Sequence, residues 1–298
     1  MTPGRVQIAA HAKANLFLRI LAREASGFHT IETLFALQEL ADELTVELLP
    51  QDIELRVEGG DTGPDEQNLV TRAARLVLDA TGTRGGVRIH LVKRIPIRAG
   101  LGGGSSDGAA ALHAVNLLLG NPVPRHEILQ LATRLGSDVA FFASSAPLAL
   151  AWGHGERLFR LPSPGGAPAL IALPPFGIST PEAYALLDRA RSTDVSRGAA
   201  LFEPGAFETW SSIGRLGGND FESVVFGKEP RLKDLFTRVA ETRPLLVRMS
   251  GSGSAVFAVY QTENQRDEAA ATLGEREQRV IRTATRPIGP EGPLRVQA

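Results

Sequence analysis

With 298 residues, 43% apolar and 22% charged, the chain is long enough for one large or two ordinary globular domains with a sizeable core. Lys and Arg number 32 against 33 Asp and Glu, a net charge of −1, which argues against a general nucleic-acid binder; the absence of cysteine excludes a disulfide scaffold, a thiolate metal site and a cysteine nucleophile. No apolar run reaches membrane-spanning length and the first twenty residues lack the zones of a signal peptide, so a soluble cytoplasmic protein is expected.

In chain order, Val6–Ala10, Asn15–Leu21, Leu44–Leu49 and Ile53–Val57 read as short strands, rich in Val, Ile or Leu and bounded by turn residues. Asn68–Ala80 repeats Leu69, Ala73, Leu76 and Val77 at helical spacing. Val87–Val92 is a strand, followed by a glycine cluster and helices over Ser105–Leu119 and Arg125–Leu135. The apolar run Val139–Phe142 reads as a buried strand, and Pro147–Trp152 with Arg157–Leu161 as a strand pair. The segment Ser163–Ala167, SPGGA, is the best boundary signal, giving domains 1–162 and 163–298. Beyond it come a strand at Ala169–Ala172, a helix at Pro181–Ala190 and a polar, irregular stretch Ser192–Gly218. Helices at Asp220–Phe226 and Arg231–Ala240, strands at Leu245–Met249 and Ala255–Tyr260, a helix at Gln265–Leu273 and a strand at Arg279–Thr285 complete the chain. Strands mixed with helices without strict alternation predict α+β domains.

The sharpest chemical feature is the segment from Lys93 to Gly108, KRIPIRAGLGGGSSDG. Gly100, Gly102, Gly103 and Gly104 lie between a strand and a helix, where glycine allows positive φ and close approach to a ligand. Ser105, Ser106 and Asp107 are helix-capping types, and a helix start offers free N–H groups and the positive end of its dipole. Together these form a phosphate cradle. It is not a P-loop, because no lysine follows the last glycine. Nor is it a dinucleotide fingerprint, because Ser105 stands where that pattern needs glycine. The alternative is a turn with no ligand.

Two charged residues stand out. Lys13 lies inside the otherwise apolar and neutral Ile8–Leu18, where a buried lysine needs a carboxylate or a phosphate, the alternative being a lysine guarding a sheet edge. Asp138 follows Leu135-Gly136-Ser137 at a helix end and precedes an apolar run, so it is either a cap or a functional carboxylate.

Pro96–Gly108 resembles the second motif of the GHMP kinase superfamily, an ATP-binding Pro-x-x-x-Gly-Leu-Gly-Ser/Gly-Ser-Ser loop. Ala12–Leu16 resembles the first motif and Ser250–Ser254 the third, in the right order across nearly the whole chain. Gly27–Leu34, Leu135–Val139 and Asn219–Glu222 are similar to segments of the branch that phosphorylates a cytidine-diphosphate-linked methylerythritol. The resemblance implies a two-domain fold, an N-terminal ribosomal-S5-like domain and a C-terminal ferredoxin-like α+β domain. It implies ATP and Mg²⁺, and phosphorylation of the acceptor's 2-hydroxyl in the non-mevalonate route to isoprenoid precursors. Lys13 and Asp138 then face each other at the acceptor hydroxyl, with Asn15 hydrogen-bonding nearby. ATP falls to Asn68 and Lys93 near the adenine, and to Pro96, Gly100, Gly102, Gly103, Gly104, Ser105 and Ser106. The cytidine falls to Phe28, His29, Thr180, Pro181 and Tyr184, with the base stacked between Phe28 and Tyr184. The metal is held mainly by phosphate oxygens and water, with no protein ligand assigned. The partner is this small molecule, with neither nucleic acid nor membrane, and the state is a monomer or weak homodimer.

The chain departs from the branch at Phe28, where tyrosine is usual, at Arg98 and Ala99, where Gly-Gly is frequent, and at Asp107, where asparagine is common. A homoserine or mevalonate kinase is the alternative, opposed by the Phe28-His29 and Thr180-Pro181 matches. A catalytically silent sensor on the same fold is opposed by Lys13, Asp138 and the complete glycine loop.

Overall fold

The computed structural model describes residues 4–191, 202–274 and 278–296. Strand β1 (Arg5–Arg23) pairs antiparallel with β2 (His29–Leu49) along nearly its whole length. The two strands expected at Val6–Ala10 and Asn15–Leu21 are therefore one, and the first half of β2 has no counterpart among the expected elements. The reason is burial on both faces: Phe35 and Leu37 belong to one core, Leu34 and Ala36 to another, which erases the alternation that marks a one-sided strand. The β1–β2 register shifts between His11 and Lys13, between Asn15 and Phe17, and between Ile20 and Ala22. Such irregularities bend a strand and re-aim its side chains.

The chain continues through β3 (Ile53–Glu58), α1 (Leu69–Thr81) and β4 (Gly86–Val92), with β3 and β4 parallel. Then follow α2 (Gly103–Leu118), α3 (Arg125–Leu135), α4 (Ser137–Ala143), β5 (Leu148–Gly153) and β6 (Arg157–Leu161). Residues Val139–Phe142 are thus helical, not a strand, because a four-residue apolar run carries no period of its own. This places Asp138 in the first turn of a helix. The second layer comprises β7 (Pro168–Leu173), α5 (Thr180–Ala190), α6 (Trp210–Gly214), α7 (Asp220–Lys228), α8 (Pro230–Glu241), β8 (Leu246–Met249), β9 (Val256–Val259), α9 (Glu263–Leu273) and β10 (Arg279–Ala284). Of the stretch expected to be irregular, residues 192–201 lie outside the described residues, and α6 lies within the rest. A last strand, β11 (Leu294–Val296), returns to pair with β1.

The first sheet runs β11-β1-β2-β4-β3, with β5 also on β2 and β6 on β5; the second runs β10-β7-β9-β8. Helices α1 to α4 cover one face of the first sheet and bury Val70, Val77, Leu112, Val115 and Phe141 against it. Its other face meets the second sheet through Ala12, Ala14, Leu16, Leu34, Ile171 and Phe257. Helices α5, α7, α8 and α9 bury Leu187, Phe221, Leu235 and Ala269 against the far face of the second sheet. The architecture is α+β, as expected. Among the described residues no helix is long and apolar enough to cross a membrane.

Candidate active site

The middle of β1, the glycine loop and the Ser250–Ser254 loop meet at one point. The backbone N–H of Lys13 donates to Leu101 O at 3.0 Å, and that of Ala255 to Ala99 O at 3.1 Å. The Ser250 hydroxyl donates to Gly100 O at 2.9 Å and accepts from Asn15 N–H at 3.2 Å. The Asn219 amide reaches Met249 O at 2.7 Å and Gly251 O at 2.6 Å, fixing the third loop from behind. Gly100, with φ of 79°, is required at this seam, since a Cβ there would lie 2.1 Å from Ser250 O.

The glycine loop leads into α2, which starts at Gly103, not Ser105, after Gly102 in a left-handed conformation. No side chain caps this helix; Ser106 N–H closes the first turn onto Gly102 O, leaving earlier N–H groups for an anion. A Cβ on Gly104 would meet nothing within 4 Å, so the loop is open there. The opening is a cavity of about 360 Å³ lined by Asn68, Lys93, Pro96, Gly100, Gly102, Gly103, Gly104, Ser105 and Asp107, with Thr62 and Gln67 at one end. Ser106, the remaining residue expected to bind phosphate, is buried on the inner side of α2, because one step around a helix turns it away from Ser105. Asn68 caps α1, its Oδ1 accepting Val70 N–H at 2.9 Å while its amide donates to Thr62 Oγ1 at 3.0 Å.

Lys93 lines the same cavity, yet its ammonium is engaged below it. It pairs with Asp42 and donates to Asp107 Oδ2 at 2.6 Å. Asp42 is fully buried, and its Oδ1 also accepts Arg94 N–H at 2.5 Å and Ile95 N–H at 2.8 Å. One lysine thus serves two carboxylates. Burial opposes the Lys93 charge, but Asp107 and Asp42 outweigh it and raise its pKa. Among the described residues Asp107 Oδ1 has no hydrogen-bond partner, and burial, with Asp42 beside it, pushes the Asp107 carboxyl up to about 8 against the pull of Lys93. Asp42 escaped sequence reasoning, since Glu-Leu-Ala-Asp-Glu-Leu carries no signal that its fourth residue is the buried one.

On the other side of the loop, Lys13 Nζ lies 3.4 Å from Asp138 Oδ2. The lysine side chain is 5% exposed and the aspartate 34%, so the pair opens from a buried base to a reachable tip. Lys13 also donates to Asn15 Oδ1 at 2.6 Å and lies 4.9 Å from the Phe35 ring centre. The Asn15 amide donates to Thr33 Oγ1 at 2.8 Å, so Asn15 is held from β2. The β1 irregularities on either side of Lys13 and Asn15 aim both side chains to this point.

An aromatic cleft adjoins Asp138. Phe28 is 63% exposed and stacks on His154, ring centres 5.2 Å apart. His29 stacks on Tyr184 at 4.5 Å, and Tyr184 meets Phe221 edge-on. The expected stack of Phe28 and Tyr184 about one base is therefore altered: one face of Tyr184 carries His29, and Phe28 is partnered by His154, which sequence reasoning missed. Burial, then the charges of Asp138 and Asp188, push the Tyr184 phenol up to about 12, keeping it neutral. Thr180 and Pro181 open α5, and Thr180 Oγ1 lies 3.0 Å from Ser252 Oγ in the third loop. The β5–β6 turn closes the cleft, a Cβ on Gly155 falling 4.0 Å from Asp138 Oδ1.

The GHMP kinases N terminal domain matches residues 68–146 and the GHMP kinases C terminal domain residues 197–278. A 4-diphosphocytidyl-2-C-methyl-D-erythritol kinase of Solibacter usitatus is 37% identical over 278 residues, 92% of this chain and 87% of that protein. A crystal structure of 4-(cytidine 5'-diphospho)-2C-methyl-D-erythritol kinase superposes with a TM-score of 0.80 at 36% identity, covering 94% of this chain and 98% of the other. Homoserine kinase from Cytophaga hutchinsonii, at 20% identity and a TM-score of 0.73 over 98% of this chain and 97% of its own, shares the fold alone. Identity of 36–37% over more than nine-tenths of the chain makes it a member of the 4-diphosphocytidyl-2-C-methyl-D-erythritol kinase family within the GHMP kinases.

Proposed function

We propose that the chain transfers the γ-phosphoryl group of ATP to the 2-hydroxyl of 4-diphosphocytidyl-2-C-methyl-D-erythritol. The observation that carries this reading is the 3.4 Å approach of Lys13 to Asp138 between a phosphate-sized cavity and an aromatic cleft. Asp138 takes the hydroxyl proton as the hydroxyl oxygen bonds to the γ-phosphorus and the bond to the β–γ bridging oxygen breaks, leaving ADP. Lys13 faces the same hydroxyl and stabilises negative charge as the proton leaves. The N–H groups at the start of α2 and the open face of Gly104 receive the phosphates, while Thr62, Gln67 and Asn68 mark the adenine end.

Magnesium fits this arrangement as a companion of the nucleotide. Among the described residues no group of three or more His, Asp or Glu could hold a metal, and Mg²⁺ readily keeps waters and phosphate oxygens as ligands. The Ser105 hydroxyl on the cavity wall is the protein ligand we assign to it. When bound, the ion neutralises charge developing on the transferring group. Phe28, His29 and Tyr184 form the cytidine end, and Thr180 and Pro181 its floor against the third loop. A coupled ADP-release assay with this acceptor, homoserine and mevalonate tests the reading. Turnover only with the cytidyl acceptor, dependent on Mg²⁺, is expected; turnover with homoserine or mevalonate and none with the cytidyl acceptor overturns it.

A further inference from the structure

The His29 ring is held by two residues one turn apart on α5. Tyr184 lies nearly flat against it, 21° between planes, and Asp188 Oδ1 meets its edge 2.7 Å from Nε2. The i, i+4 spacing puts both on one helix face. The other Asp188 oxygen lies 3.5 Å from Arg23 Nε, so the carboxylate is held in turn from β1. The His29 side chain is 7% exposed, and turning the ring over would keep the stack but replace Nε2 by a carbon at Asp188 and break the bond. An ionised carboxylate can only accept. The nitrogen facing it therefore carries the proton, and in a neutral imidazole the other nitrogen is left as an acceptor. Among the described residues Nδ1 has no hydrogen-bond partner.

We propose that Asp188 is a positioning residue that sets the base specificity of the acceptor site. By making Nε2 of His29 the donor, it leaves Nδ1 as an acceptor for the exocyclic amino group of cytosine and mismatched to the corresponding carbonyl of uracil. Cytosine and uracil differ at N3, an acceptor against an N–H donor, and at position 4, an amino donor against a carbonyl acceptor; Nδ1 reads the second of these. A site built to pair with one rejects the other, because two acceptors are left facing each other without a proton. Arg23, Asp188 and His29 thus form a relay of orientation from strand to helix to base. This rests on the reading that His29 faces the cytidyl group.

The test is the ratio of kcat/KM for the cytidyl acceptor to that for its uridyl analogue, measured at one fixed pH for every variant. Asp188→Asn offers Nε2 either an oxygen or an N–H, so both tautomers of His29 become available. The ratio should fall at least tenfold, mainly through a gain with the uridyl analogue, while the KM for ATP holds. Asp188→Glu, still acceptor-only, should keep the wild-type preference. An unchanged ratio in Asp188→Asn, or equal losses with both acceptors, overturns the proposal. His29→Ala separates the two levels: an unchanged KM for the cytidyl acceptor sinks the placement of His29 itself, whereas a raised KM together with an unchanged ratio in Asp188→Asn sinks only the role of Asp188. Nitrogen-15 NMR of histidine-labelled wild-type protein reads the tautomer directly and needs no variant. A proton on Nε2 and none on Nδ1 of His29 is expected; the reverse is a refutation.

Discussion

Lys13, in the middle of a strand and nearly buried, has its charge met by Asn15 Oδ1, by Asp138 and by the face of Phe35. That burial was legible, since a lone lysine among Ala, Leu and Ile must be satisfied. Its partner was legible only through resemblance, because 125 positions separate Lys13 from Asp138 and no local spacing joins them. Asp138→Asn should lower kcat by roughly 10²–10⁴ while leaving ATP affinity nearly unchanged, as for a positioned base. Lys13→Met should lower kcat alongside it; single-turnover kinetics with calorimetric ATP titration check both. Asp107 supplies the pH dependence. Its folded pKa, about 8, lies above the free value of 3.8, so its contribution to stability is complete below 3.8 and is lost as pH rises through 8. Asp107→Asn should remove that loss, and its melting temperature relative to wild type should climb between pH 6 and pH 9 in scanning calorimetry. A constant difference across that range would mean the carboxyl does not hold its extra proton. Arg98, with φ of 57°, occupies a backbone conformation that favours glycine. That is a physical reason for glycine to be frequent at this position.

The glycine loop illustrates what an element adds to its residues. Four glycines read alike in the sequence, yet they do different things. Gly100 and Gly102 take left-handed φ, Gly103 begins the helix close against Ile95 and Lys93, and Gly104 faces open space. A Cβ on Gly103 would lie 3.1 Å from Ile95 and 3.3 Å from Lys93 Nζ, so Gly103→Val presses on the buried ion group and should cost stability. A Cβ on Gly104 has nothing within 4 Å, so Gly104→Val should keep a melting temperature near that of the wild type while abolishing measurable ATP binding. If it binds ATP normally, the phosphates lie elsewhere. The helices α1 and α3 were readable because each exposes one face, giving a 3.6-residue period, whereas α2, buried nearly all round, was readable only from the glycines and capping residues at its start. The first half of β2 and the short α4 were not. The first is buried on both faces and the second is too short to show a period, so both lose the pattern on which such readings depend.

At the scale of the whole molecule, the face shared by the two sheets is one core. Ala12, Ala14, Leu16 and Leu34 pack with Ile171 and Phe257, so neither sheet keeps this face dry without the other. The two tryptophans lie on opposite sides of that division, Trp152 in β5 and Trp210 in α6. Single-tryptophan variants, Trp152→Phe and Trp210→Phe, should therefore report the same urea midpoint, a single cooperative transition. Two midpoints would mean that the layers unfold separately. Phe257→Ala should cost about 3–5 kcal/mol and move both probes together. None of this was visible in the boundary signal at Ser163–Ala167, which marks where the chain changes layer but carries no information about which surfaces meet. The same geometry governs how such a gene can be recombined. The Ser250 hydroxyl bonds Asn15 and Gly100 at once, tying a site in the first half to a loop made in the second. A chimera crossing over near residue 162 inherits its nucleotide loop from one parent and the clasp that shapes it from another. Only parents that both carry a hydroxyl at the clasp and a glycine beneath it can exchange halves and still close the cradle.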